Sequence, residues 1–248
     1  MEILFLDTET TGNDVTKDRL CQVCYKTKTT TRTAYFKPPV PISVKSMSIT
    51  HITNKLVADK EPFAESAFRR ELETLLADHV LVAHNAKFDI AILAAEGVKV
   101  PQYICTLRLA RELDTEGVIP EYNLQFLRYY LDLDLDGTAH DAVGDVLVTE
   151  ALFNRLWQKL KAGDGSLLGS RELSDEETLA KMIEISSRPS LFKKFGFGKH
   201  KDRTLAEVAK TDRGYLEWLL KQKLEAGEED EDWLYTLRYY LGQLNITP

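Results

Sequence analysis

The chain has 248 residues, 44% hydrophobic and 29% charged, which suits one large domain or a large and a small one and is too apolar for intrinsic disorder. No apolar run approaches a membrane span or a signal core, so no membrane contact is expected and a cytoplasmic location is the plain reading. A net charge of −7 disfavours a long nucleic-acid track, unless the acids gather at a metal site and the bases in one local patch.

In chain order, Ile3–Asp7, Leu20–Tyr25 and Thr31–Phe36 read as three successive strands, and Lys37–Pro41 breaks regular structure. Cys21 and Cys24 form a lone C-x-x-C inside the second strand. Their odd separation points them to opposite faces, as expected of buried hydrophobes rather than zinc ligands. Apolar spacing predicts a helix over Pro62–Asp78, a short buried strand at Val80–Ala83, a helix over Ala86–Glu96 and a strand near Tyr103–Thr106. Helices near Asn123–Leu131 and Ala139–Leu160 follow. The mixture predicts an α/β or α+β domain in which an antiparallel meander joins a parallel part.

After Lys161 the stretch from Ala162 to Ser190 reads as a linker containing a short helix from Ser174 to Ile185. This divides the chain into 1–161, 162–190 and 191–248. The last part opens with Phe192, Phe195 and Phe197 interleaved with Lys193, Lys194, Lys199, His200 and Lys201. Phosphate contact with base stacking is one use of that mixture, and a small aromatic core under solvated lysines is another. The acid-rich stretch Glu225–Asp232 reads as a solvated turn between helices.

Three acidic pieces stand out. Asp7 and Glu9 are two apart on a strand, so both carboxylates face one side, as a hard divalent cation requires, although a solvated strand end looks the same. In His84-Asn85-Ala86-Lys87-Phe88-Asp89, Asn85 suits a helix N-cap and Asp89 the first turn, where the dipole favours an anion. In His140-Asp141-Ala142-Val143-Gly144-Asp145, His140 and Asp145 lie about 140° apart if both are helical, so they meet one site more easily with His140 on the entering loop.

Taken in order, D-x-E-T-x-G, H-N-x-x-F-D and H-D-A-x-x-D resemble the three motifs of the DEDDh exonucleases. The resemblance implies a ribonuclease H-like mixed five-stranded sheet flanked by helices, with a small C-terminal domain. It also implies metal ligands at Asp7, Glu9, Asp89 and Asp145 for two Mg²⁺ or Mn²⁺ ions, and a general base at His140. Pro41–Ser43, Met47–Thr53 and Ile104–Arg111 match further family segments. Arg188–Leu191, Phe195–Lys201 and Arg213–Leu219 are similar to the C-terminal region of the exonuclease X branch. The position after Gly12, leucine in many members, is Asn13 here.

Substrate contacts are accordingly expected at Thr10, Thr11, Gly12, Met47, His51, Asn85 and Phe88, and in the tail at Lys199, His200 and Lys201. The activity implied is hydrolysis from DNA 3′ ends in repair or replication. Trimming of RNA 3′ ends, or service as a polymerase proofreading subunit, are the alternative readings. Partners would be DNA with a 3′ end, RNA in the alternative, and further a DNA polymerase or a sliding clamp. Gln243–Ile246 resembles a clamp-binding peptide, but no aromatic follows and a fraying helix end accounts for it better.

Overall fold

A computed structural model describes residues 2–133, 142–163, 171–225 and 230–244. Its organising element is a central strand, β1 (Glu2–Thr10), flanked by antiparallel β2 (Leu20–Lys26) on one side. On the other side lies parallel β4 (His79–Ala83). The edges are β3 (Thr31–Tyr35), antiparallel to β2, and β5 (Tyr103–Cys105), parallel to β4, giving the order β3-β2-β1-β4-β5. This is the mixed five-stranded sheet that the motifs implied. β1 runs past Asp7 because Thr8 and Glu9 keep pairing with Val23 and Gln22, until the register shifts between Glu9 and Thr10.

The pleat of β1 sorts its side chains into two cores. Leu4 and Leu6 pack with Leu72, Leu76, Ile92 and Leu93 under α3 (Ala67–Asp78) and α4 (Ala86–Ala95). Phe5 goes the other way, edge-on to Phe153 at 5.4 Å, among side chains of three helices. These are α5 (Thr106–Leu113), α6 (Leu124–Tyr130) and α7 (Ala142–Lys161). Burying each such side chain contributes roughly 1.5–3 kcal/mol, so a one-residue slip of β1 would exchange both cores and is strongly disfavoured. Cys21 and Cys24 are buried free thiols in different clusters, Cys21 at the point where the β1–β2 register shifts and strict alternation no longer sorts the two to opposite faces.

The helix expected over Pro62–Asp78 breaks at Ser66, whose hydroxyl accepts from Arg69 N to start α3 afresh after a single 3₁₀ turn at Phe63–Glu65. Two short helices that carry no strong periodicity, α1 (Val44–Thr50) and α2 (Asn54–Val57), close one end of the sheet. They pack through Ile42, Ile52 and Val57.

α8 (Asp175–Ser187) opens with a Ser174–Glu177 capping box and places Met182 and Ile185 in the same core as Phe5. Its Ser186 hydroxyl accepts from Cys105 N at 2.8 Å. Beyond it, α9 (Leu205–Thr211), α10 (Arg213–Glu225) and α11 (Glu231–Tyr240) surround a separate cluster built on Phe195, Leu216, Trp233 and Leu237. Among the described residues, no helix is long and apolar enough to cross a membrane.

Candidate active site

Asp7 and Glu9 continue the Phe5 side of β1, the side crossed by α7, and Asp145 sits in the first turn of that helix. One carboxylate oxygen from each of the three lies within 4.8 Å of the others, and all three side chains are half-buried. Three anions at that separation repel unless a cation lies among them. Hard carboxylate oxygens are the donors that divalent cations favour, so this set, among the described residues, fits a divalent ion.

Asp145 is held from behind. Gln125, in the first turn of α6, donates through Nε2 to Asp145 Oδ1 at 2.5 Å. α6 is itself fixed by Asn123, whose side chain accepts from Phe126 N at 2.8 Å, and by buried Leu127. Sequence reasoning missed Gln125. An uncharged residue on a short helix carries no pattern that singles it out.

Asp89 takes a different place. Thr8 lies between the two acids and therefore faces the α4 side, where its hydroxyl donates to Asp89 Oδ1 at 2.7 Å. Asp89 is buried, and among the described residues it is not part of the convergent set. Burial pushes its pKa up to about 7, against the opposing pull of the Thr8 hydrogen bond.

Asn85 does not cap α4 through its side chain. It adopts the left-handed conformation at φ 58°, which asparagine tolerates, and turns the chain from β4 into the helix. Beside it, His84 was given no role by the sequence. Its Nε2–H donates to Tyr122 O at 2.8 Å and Nδ1 accepts from the Thr106 hydroxyl at 2.9 Å. Burial lowers its pKa to about 4, so the imidazole is a neutral strut between β4, α5 and the loop into α6. His140 lies outside the described residues.

The remaining expected contacts fall into two groups. Thr10 and Thr11 are buried, with hydroxyls turned to Gly12 O at 2.6 Å and Asp18 Oδ1 at 2.7 Å. A Cβ on Gly12 would stand 2.5 Å from Asp18 Oδ2, so that glycine admits the Asp18 carboxylate. The carbonyls of Thr10 and Thr11 accept from the Ser46 hydroxyl and Ser43 N, stitching α1 to the end of β1. α1 carries half-buried Met47 and ends at exposed His51, which is left-handed at φ 59°. Phe88 is half-buried against the α3–α4 core.

In the tail, Phe195 is core, and His200 is buried with Nε2 2.9 Å from Asp212 Oδ2. Lys199 pairs with the same carboxylate at 2.7 Å, whereas Lys201 is exposed. The acidic end of the tail is not a solvated turn throughout. Asp232 is bonded by Arg111 Nη1 at 2.6 Å and Ser190 N at 2.9 Å. Glu231 meets Lys87 of α4 at 2.5 Å and also pairs with buried Arg108 of α5.

Residues 4–153 match the exonuclease family, and residues 195–223 match the exodeoxyribonuclease X-like C-terminal family. Exodeoxyribonuclease 10 of Escherichia coli strain K12 is 30% identical over 210 residues, covering 83% of this chain and 82% of its own. A solved structure of exonuclease X in complex with 5′ overhanging duplex DNA superposes with a TM-score of 0.56 at 26% identity, covering 74% of this chain and 99% of that one. A structure of exonuclease I shares the fold at 21% identity and a TM-score of 0.54, covering 64% of this chain and 41% of that one. With the three-carboxylate cluster on the expected strand and helix, and with more than half its length matched, the chain belongs to the exonuclease family.

Proposed function

We propose that this protein is a metal-dependent 3′–5′ exonuclease acting on DNA ends, with Asp7, Glu9 and Asp145 as the ion-holding carboxylates. The observation that carries this reading is their convergence from β1 and α7 within 4.8 Å. Similarity to exodeoxyribonuclease 10, and to exonuclease X seen with duplex DNA, supports DNA rather than RNA as substrate. In this reading residues 1–161 form the catalytic unit, 162–190 the connection and 191–248 a small appended unit.

Bound Mg²⁺ or Mn²⁺, as a pair, would supply an activated water and charge stabilisation at the leaving 3′ oxygen. The chain's own residues do the rest. β1 holds Asp7 and Glu9 at fixed spacing, α7 brings Asp145 onto them, and Asp89 secures the strand between them through Thr8. His140 would serve as the general base toward the attacking water.

The test is digestion of 3′-labelled and 5′-labelled single-stranded DNA, duplex DNA and RNA with Mg²⁺, alongside Asp7→Asn. Stepwise loss from the 3′ end of DNA, abolished in the variant with folding intact, is the expected result. Wild-type rates in Asp7→Asn, or digestion of RNA alone, would overturn the assignment.

A further inference from the structure

We propose that Gln125 is a positioning residue for Asp145, and that its amide determines how tightly the carboxylate cluster holds a divalent cation. The proposal rests on the metal-holding role given above to Asp7, Glu9 and Asp145.

The geometry is one-sided. Gln125 Nε2 donates to Asp145 Oδ1 at 2.5 Å, while Gln125 Oε1 is buried with no hydrogen-bond donor among the described residues. A buried amide oxygen without a donor is unfavourable, and a glutamine at the start of a short helix has the reach to turn it toward water. It keeps this orientation because the reversed amide would set Oε1 against a carboxylate oxygen. The Asp145 oxygen therefore selects the amide orientation, and the amide in turn anchors Oδ1.

The mount is rigid on both sides. α6 starts at the Asn123 cap and is pinned through Leu127, and the Tyr122 carbonyl just before it accepts from His84. Asp145 is thus met, at the start of α7, by an amide whose own helix is capped and packed. Partners that orient a metal ligand in this way typically change metal affinity by about 10–100-fold when removed.

The experiment is Mn²⁺ titration of the metal-free full-length chain by calorimetry and by electron paramagnetic resonance, without DNA. Gln125→Met keeps the side-chain length and removes both polar ends, and Gln125→Asn keeps the amide but falls one methylene short. Both are expected to weaken Mn²⁺ binding by roughly tenfold or more. In an Asp145→Asn background, Gln125→Met should weaken it no further, because the carboxylate it positions is gone. A merely structural glutamine would instead give additive losses.

Circular dichroism shows which variants fold, and either Gln125 variant alone suffices. Wild-type Mn²⁺ affinity in a folded Gln125 variant, or additivity in the double variant, overturns the proposal. Asp7→Asn separates the two levels: if it binds Mn²⁺ as the wild type does, the reading of the cluster itself fails.

Discussion

Thr8 donates its hydroxyl to Asp89 at 2.7 Å, across the strand from the face that carries Asp7 and Glu9. The residue between the two cluster acids is thereby tied to the helix of the second motif. One β-strand presents Asp7 and Glu9 to α7 on one face and anchors itself on Asp89 through the other. That bond holds the ionised form of Asp89, whose pKa burial raises to about 7. Thr8→Val should therefore destabilise the metal-free protein by about 1–3 kcal/mol at pH 8. At pH 5, where Asp89 is protonated, the loss should be smaller. Urea denaturation at the two pH values measures the difference, and equal losses at both would contradict it.

Asp89 and His84 have opposite linkages. Asp89, raised from 3.8 to about 7, holds a proton in the folded state that the unfolded chain lacks, so its contribution is present below pH 3.8 and lost as pH rises through 7. His84, lowered from 6.5 to about 4, does the reverse: its contribution is present above pH 6.5 and lost as pH falls through 4. Between pH 4 and 6.5 the two slopes oppose each other, one proton apiece. Asp89→Asn should unmask His84, so that metal-free stability gains about 1.4 kcal/mol per pH unit relative to wild type across that window. His84→Gln should tilt the profile the other way by a similar slope. Denaturant midpoints at half-unit pH steps give the answer, and parallel profiles in all three proteins would refute both shifts.

Gly12 and Asp18 form a separable pair. A Cβ at Gly12 would force out a carboxylate that also accepts from the Thr11 hydroxyl at 2.7 Å and Asp14 N at 2.8 Å. Gly12→Ala is expected to cost about 1–2 kcal/mol through those lost hydrogen bonds. In an Asp18→Ala background the same substitution should cost little, because the obstructing carboxylate is absent. A double-mutant cycle on thermal stability measures this coupling.

Asp232 joins α11 to α5 through Arg111 and Arg108, and also accepts from the Ser190 amide. Asp232→Ala leaves the largely buried Arg111 guanidinium without its carboxylate, while Arg108 keeps Glu231 and the Ser186 carbonyl, and should destabilise the chain by about 3 kcal/mol. Asp232→Asn keeps one acceptor oxygen for the Ser190 amide and should cost less. Because Asp232 is only 13% exposed, half-molar salt should change the wild-type midpoint little. A midpoint that falls steeply with salt would show that the contact is solvated.

Much of the catalytic face was legible before folding was considered. Alternation along Ile3–Asp7 sorts Leu4 and Leu6 from Phe5, and a period of two necessarily carries Asp7 and Glu9 to the same side. Local chemistry likewise marks where elements begin: Asn123 caps α6 and Ser174 with Glu177 caps α8. The tail left two uses open for its aromatics, and burial of Phe195 beside Trp233, Leu216 and Leu237 makes that residue core.

What the amino-acid order determined by itself is periodic or local: which residues share a face, where helices start, and the succession of motif acids along the chain. Only the tertiary structure decided that Asp89 serves Thr8, that Gln125 braces Asp145, that His84 is a neutral strut, and that Glu231 and Asp232 grip α4 and α5. The reason is range. Periodicity follows from backbone geometry within a few residues, whereas each of these pairings joins positions between 20 and 144 residues apart, through packing of surfaces that neither partner's neighbours encode.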